Sequence, residues 1–196
     1  MQVVRKSSFK TTPWKNGGGV THEALRVPAQ GDPFRWRISV AEIDASGPFS
    51  DYSGYRRTMM LLRGAGLLLK FANHGQACLS EVGDLAQFDG AIATQCDLLA
   101  GACTDLNLIV CNAIADVRAR VASLQAPLAV ESLAGESIVI FALSGGVTVQ
   151  GPGGQTVILS PWDLAVAIRP TAFVTMLQSL EERTPARVFL ANFSDA

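Results

Sequence analysis

A chain of 196 residues that is 48% hydrophobic and 17% charged can bury a sizeable core as one globular domain or two small packed ones, and such a composition excludes intrinsic disorder. Its 16 basic and 17 acidic residues give a net charge of -1. The basic ones are scattered, with nothing denser than pairs such as Arg5-Lys6 and Arg56-Arg57, so a nucleic-acid footprint is not expected.

The opening residues, Met1 to Lys10, carry charges with no apolar stretch behind them, unlike a secretory signal. The first distinctive stretch is Thr12-Pro13-Trp14-Lys15-Asn16-Gly17-Gly18-Gly19-Val20-Thr21-His22-Glu23. Three glycines let backbone approach backbone or ligand closely. Either a flexible loop between strands or a ligand-lining loop satisfies that pattern. Phe34 to Ile43 alternates as a strand, placing Arg37, Ser39 and Ala41 on one face and Trp36, Ile38 and Val40 on the other. An inward Arg37 could hold a carboxylate through its two-pronged guanidinium, whereas an outward one would simply be solvated.

Short apolar runs then follow as strands: Thr58 to Leu62, Leu67 to Phe71, Leu106 to Cys111, Ser137 to Leu143, Val147 to Gln150, Thr156 to Leu159, Phe173 to Leu177 and Val188 to Ala191. Glycine-rich turns such as Gly64-Ala65-Gly66, Asn73-His74-Gly75 and Gly145-Gly146 separate them. Met59-Met60 reads as core filling, and His74 as a hairpin tip. Asp105 and Asn107 interrupt a strongly apolar strand, where burial would demand partners for them. Asp116 to Gln125 reads equally as a short helix or a bridging strand. The span from Leu98 to Ala115 is too interrupted by polar residues to cross a membrane. The four cysteines show no metal or disulfide spacing, which is the pattern of reduced, buried thiols. A soluble, cytoplasmic protein without a membrane partner is the expectation.

The halves repeat. Gly64, Gly75-Gln76, Asp84-Leu85-Ala86 and the strand ending at Asn112 recur as Gly145, Gly154-Gln155, Asp163-Leu164-Ala165 and the strand ending at Asn192, a shift of about 80 residues. Two tandem β-units follow, residues 1–115 and 116–196. This strand, glycine-turn and Gly-Asp pattern resembles the cupin superfamily, which implies an all-β bicupin of two tandem barrels packed together. Metal-binding cupins present several histidines and a glutamate, whereas this chain has only His22 and His74, so neither a metal nor another cofactor is expected.

The resemblance then narrows. Trp14-Lys15-Asn16-Gly17-Gly18-Gly19 with Thr21 and Glu23, the Trp36 to Ile43 strand with Arg37 and Ser39, Gly47-x-Phe49-Ser50, the segment from Gly54 through Arg57 to Gly64, and Asp105-Leu106-Asn107-Leu108-Ile109 together resemble the HutD/Ves family. Leu106 and Cys111-Asn112 depart from the family pattern of Phe and Thr-Arg. The resemblance implies association with bacterial histidine utilisation and a regulatory role, with no catalytic residue to carry over. The matched positions Trp14, Asn16, Thr21, Glu23, Arg37, Ser39, Arg57, Asp105 and Asn107 are the candidate ligand site, in the N-terminal barrel. The expected partner is a small anionic metabolite such as formylglutamate or urocanate. Arg37 and Arg57 would clamp its carboxylate, Asp105 and Asn107 would meet its N–H groups, and Trp14 would supply a lid or stacking face. The alternatives are a cofactor-free enzyme, with Glu23 or Asp105 as base and Lys15 or His22 as acid, and a protein-interaction module. A homodimer through a sheet edge is a further possibility.

Overall fold

In a computed structural model that describes residues 1–114, 116–168, 171–181 and 183–194, the chain divides into two units. Residues 9–112 form one unit, and Met1–Ser8 with Ala113–Ala196 form the other. The expected boundary at residue 115 lies outside the described residues.

Nineteen strands account for nearly all regular structure among the described residues. In the unit of residues 9–112, β2 (Lys10–Pro13), β3 (Gly19–Val27), β4 (Trp36–Ile43), β6 (Tyr55–Arg63), β9 (Leu85–Asp89) and β11 (Cys103–Cys111) make a six-stranded sheet in the order β2-β3-β4-β11-β6-β9. Against it lie β5 (Gly47–Pro48), β7 (Leu67–Phe71), β8 (Gly75–Leu79) and β10 (Thr94–Leu98), in the order β5-β10-β7-β8. Ile43, Met59 and Leu61 from the first sheet meet Leu67, Leu69, Leu79 and Cys96 from the second in one apolar cluster. The expected barrel is therefore two sheets packed face to face around a shared core.

The other unit repeats this plan. β12 (Arg118–Ser123), β14 (Glu136–Ser144), β17 (Leu164–Ile168) and β19 (Arg187–Ser194) run β17-β14-β19-β12, matching β9-β6-β11-β4. β13 (Leu128–Ser132), β15 (Val147–Gln150), β16 (Thr156–Leu159) and β18 (Phe173–Ser179) run β13-β18-β15-β16, matching β5-β10-β7-β8. The repeated residues do equivalent local work. Gly64 and Gly145 have φ of +109° and +71°, and a Cβ on Gly64 would sit 2.7 Å from Cys103 Sγ. Asp84 and Asp163 each accept the backbone N–H of the serine four or three residues before them, at 2.9 and 3.0 Å, closing the turn that starts β9 or β17.

One open reading is decided and two others change. The segment 116–125 contains the strand β12, since pairing with β19 from Arg118↔Asn192 to Ser123↔Arg187 supplies its backbone bonds. Residues 1–8 do not join the N-terminal unit. β1 (Gln2–Val4) extends the other unit's sheet beside β17, where Met1 and Val3 pack on its core and Arg5 and Lys6 bind Asp163. The terminal strands align differently from the repeat Asn112/Asn192. Ile109 faces Arg57, whereas Asn192 faces Ile138, and both of these lie at the same row of their sheets. Matching the two asparagines offsets the strands by an odd number, which would turn every side chain to the wrong face.

Candidate functional site

The cavity lies inside the unit of residues 9–112, on the inner face of the six-stranded sheet. The ladder sets its floor in rows. Arg37, Ile109 and Arg57 lie side by side across β4, β11 and β6. The next inward-facing row is Glu23, Ser39, Asn107 and Met59, and the one beyond is Thr21, Ala41, Asp105 and Leu61. Alternation along each strand turns all of these to one side, and the extra strands β2 and β3 widen the floor with Lys10, Thr12, Thr21 and Glu23. The resulting cavity is about 670 Å³, within the range of small-molecule sites. All nine candidate residues line it.

At its base, Arg57, Asn107 and Asp105 form a buried chain, with exposures of 5%, 7% and 1%. Arg57 Nε and Nη2 both donate to Asn107 Oδ1 at 3.3 and 3.2 Å, and Asn107 Nδ2 donates to Asp105 Oδ2 at 2.8 Å. Rings of Phe49, Tyr52 and Phe88 surround the Arg57 guanidinium at 4.9, 5.3 and 5.2 Å. Burial pulls Arg57 below the usual arginine range, against the opposing field of Asp105. Burial pushes the Asp105 carboxyl up to about 7, with Arg57 and the Asn107 bond pulling the other way. Arg37 donates to Tyr52 Oη at 2.7 Å and lies over the same ring. Arg37 Nε and Asp105 Oδ1 are buried with no hydrogen-bond partner among the described residues.

The rim is built by the glycine segment. Trp14 N–H bonds to Gly19 C=O at 2.9 Å, Gly17 N–H to Trp14 C=O at 3.1 Å, and Asn16 Oδ1 accepts the Gly18 N–H at 3.0 Å. Gly19 is required by contact: a Cβ there would lie 2.3 Å from the Glu42 carbonyl and 3.1 Å from the Trp14 ring. Trp14 Nε1 donates to Thr21 Oγ1 at 2.7 Å. The indole is thus pinned as a wall of the cavity, a placement that suits the stacking face of the two expected roles better than the lid. Two other roles change. Asn107 is committed on both sides of its amide, so it positions its neighbours. His22 turns to the opposite face from Glu23, bonding Thr11 Oγ1 at 2.9 Å and Glu42 at 3.4 Å, and cannot serve as an acid in the cavity. The candidate set leaves out Phe49 and Tyr52, although Phe49 lies inside the Gly47-x-Phe49-Ser50 motif and Tyr52 just beyond it. Two aromatics shortly before a buried arginine were the available signal.

The donor set does not fit a metal. Neither histidine lines the cavity, and among the described residues no group of three or more His, Cys, Asp or Glu side chains converges. The base of the cavity holds the Arg57 guanidinium, a cation with no lone pair to offer a metal.

The HutD family model matches residues 6–184. The chain belongs to the HutD family. It is 35% identical over 164 residues, 83% of this chain and 84% of the relative, to an uncharacterized 21.2 kDa protein in the hutC 3' region of Pseudomonas putida. A conserved protein of unknown function from Pseudomonas aeruginosa PAO1 superposes with TM-score 0.90 at 29% identity over 98% of both chains. HutD from Pseudomonas fluorescens SBW25 does so at 0.81 and 27%, over 98% of this chain and 97% of that one. Oxalate decarboxylase from Bacillus subtilis, at TM-score 0.68 and 10% identity over 100% of this chain and 77% of its own, shares the fold alone. The fold is all-β and cupin. No helix among the described residues is long and apolar enough to cross a membrane.

In this HutD-family protein the second cupin unit carries no equivalent of the polar base. The positions equivalent to Arg57, Asn107 and Asp105 are Ile138, Leu190 and Val188 in the other unit, and these three lie within its apolar core.

Proposed function

We propose that this HutD-family protein binds a small anionic intermediate of bacterial histidine utilisation, without a metal, and so takes part in regulating that pathway. One observation carries the reading. Two arginines, Arg37 and Arg57, stand in one cross-strand row at a single cavity, and neither contacts a carboxylate within salt-bridge distance among the described residues. Guanidinium groups drawn this far from water are stabilised by an anion placed between them. The aromatic rings supply flat apolar walls, and Asp105 Oδ1 supplies an acceptor for an N–H. Formylglutamate and urocanate both carry a carboxylate and an N–H, which is the inventory the cavity asks for. The name of the Pseudomonas putida relative, which sits beside hutC, supports the pathway.

Calorimetric titration with both compounds tests this. The wild type is expected to bind at least one, and Arg37→Ala, a half-buried position, is expected to weaken binding by about 10- to 100-fold, the loss of one or two charge-assisted hydrogen bonds. Absence of heat with either compound, or unchanged affinity in Arg37→Ala, would defeat the reading. A second reading is a cofactor-free enzyme acting on a small carboxylate metabolite. It draws on Asp105, whose buried carboxyl sits near neutrality at the cavity as a general base would. Turnover of either compound by the purified protein, lost in Asp105→Asn, would favour it.

A further inference from the structure

Resting on the binding reading above, we propose that Asp105 determines specificity at the inner end of the cavity: the group that meets it must bring its own proton, as an N–H or O–H, and a bare carboxylate is rejected. The argument begins with Asn107. Its Oδ1 accepts two bonds from Arg57 and its Nδ2 donates to Asp105 Oδ2. Rotating that amide would set its N–H groups against the arginine donors and its oxygen against a carboxylate oxygen, so its orientation is locked. The same lock consumes Asp105 Oδ2. The other oxygen of this cavity-lining residue, Asp105 Oδ1, is buried with no partner among the described residues. A ligand donor that reaches this oxygen satisfies it, and a ligand acceptor leaves two oxygens opposed in a desolvated site.

The surroundings do not relieve that opposition. The charged and titratable groups around Asp105 and along the cavity are Arg57 from β6, Arg37 from β4, Glu23 from β3, Lys10 from β2, Lys15 from the segment after β2, Tyr52 from the segment after β5, Cys96 from β10 and Cys103 from β11 itself, and both lysines are exposed. Arg57 is the cation nearest in the network, and its Nε–H is spent on Asn107. Burial, together with the field of Asp105, holds the Cys96 thiol up at about 12, so it contributes no charge near neutral pH. Glu23, the second carboxylate lining the cavity, lies opposite the exposed Lys10 in the β2–β3 ladder, so that lysine stands beside Glu23 and not in the row of Asp105.

Spacing also follows from the ladder. The Asp105 row lies four residues along β11 from the Arg37–Ile109–Arg57 row, about 13 Å of backbone. The Arg57 head reaches back to the intermediate Asn107 row, which halves the gap to about 6.5 Å. A ligand that meets both ends therefore carries its donor about three to five bonds from its carboxylate. Since burial raises the Asp105 carboxyl to about 7, below that pH Asp105 carries its own proton and can donate to an acceptor. Discrimination is thus a property of the ionised carboxylate and sets in above neutrality.

Matched probes test this: glutarate against glutaramate, and succinate against succinamate, titrated calorimetrically from pH 6 to pH 9 in buffers of differing ionisation heat. Within each pair the affinities are expected to be similar at pH 6. The monoamide is expected to be preferred by about 100-fold at pH 9, ten-fold for each pH unit above the Asp105 midpoint. The diacid should bind with uptake of one proton and the monoamide with none. Asp105→Asn, which keeps the shape and supplies an N–H, is expected to abolish both the preference and the proton uptake. The proposal is overturned if diacid and monoamide bind the wild type equally at pH 9, or if diacid binding above pH 7 takes up no proton. The wild-type series decides this even if the variant does not fold. Equal affinities that still fall in Arg37→Ala would remove this proposal and leave anion binding standing. Failure of the wild type to bind any of the four probes, and formylglutamate and urocanate as well, would remove both.

Discussion

Replacing Asp105 with Asn should change how stability depends on pH. Asp105 is 1% exposed, and its carboxyl is raised from 3.8 to about 7 in the folded protein. Below pH 4 the group is protonated in both folded and unfolded chains and makes no difference. Between pH 4 and pH 7 the unfolded chain releases the proton while the folded chain keeps it, so stability falls as pH rises. Above pH 7 both forms are ionised and the penalty is constant. Each tenfold change in the ionisation equilibrium is worth about 1.4 kcal/mol, so a rise of this size costs the folded protein about 4 kcal/mol in total. Asparagine at 105 removes the titration and keeps an acceptor for Asn107 Nδ2. Urea unfolding of wild type and Asp105→Asn at half-unit pH steps from pH 4.5 to 8 isolates the effect, since every other titrating group cancels in the difference. The variant is expected to gain on the wild type by about 3 kcal/mol across that range, part of the total lying below pH 4.5, which is a midpoint difference of about 1.5 M at a typical urea slope. Parallel curves for the two proteins would refute the account of Asp105 as a desolvated carboxyl.

Other perturbations follow from specific contacts. Gly19→Ala drives a Cβ to 2.3 Å from the Glu42 carbonyl and onto Trp14, and a loss of about 2–4 kcal/mol is expected in thermal unfolding; Gly47→Ala, with open space around it, serves as the neutral control. Deleting residues 1–8 uncovers the edge of β17 and removes the Arg5 and Lys6 contacts to Asp163, so a lower melting temperature and concentration-dependent association by light scattering are expected. A thiol reagent at pH 8 should label exposed Cys78 first and Cys111 more slowly, with Cys96 and Cys103 reacting only after denaturant is added.

The repeat and the strand punctuation made the fold legible. Leu67–Phe71, Val147–Gln150 and Thr156–Leu159 form strands with the bounds that their apolar runs and flanking turn residues imply. Short or weakly apolar strands were not visible. β5 is two residues and β2 is wholly exposed, so pairing with neighbours defines them and side-chain pattern does not. β1 was misplaced for a related reason: nothing local in Gln2-Val3-Val4 names a partner about 160 residues away. In the site, alternation along β4 placed Arg37 and Ser39 together, and the polar residues inside β11 marked Asp105 and Asn107. What alternation could not supply was direction within the network. That Asn107 is spent on Arg57 and Asp105, or that Trp14 is bonded to Thr21, depends on rotamers set by contacts across strands.

The two units together bear on why the polar base exists at all. Their strand orders match, yet where one holds Arg57, Asn107 and Asp105 the other holds Ile138, Leu190 and Val188. The same sandwich therefore closes with an apolar centre, and replacing buried charged networks with hydrophobic side chains is commonly neutral or stabilising by about 1–4 kcal/mol. A triple variant, Arg57→Ile with Asn107→Leu and Asp105→Val, transplants the second unit's solution into the first, and the added methyl groups have the cavity to occupy. It is expected to fold with stability equal to or above that of the wild type and to bind neither formylglutamate nor urocanate. Removing Arg57 alone is expected to be worse than removing all three, by about 3 kcal/mol, because it leaves Asp105 and the Asn107 carbonyl buried without their cation. If the triple variant instead unfolds while Arg57→Ala remains stable, the trio is holding the sheet together, and its place at the cavity no longer argues for a ligand.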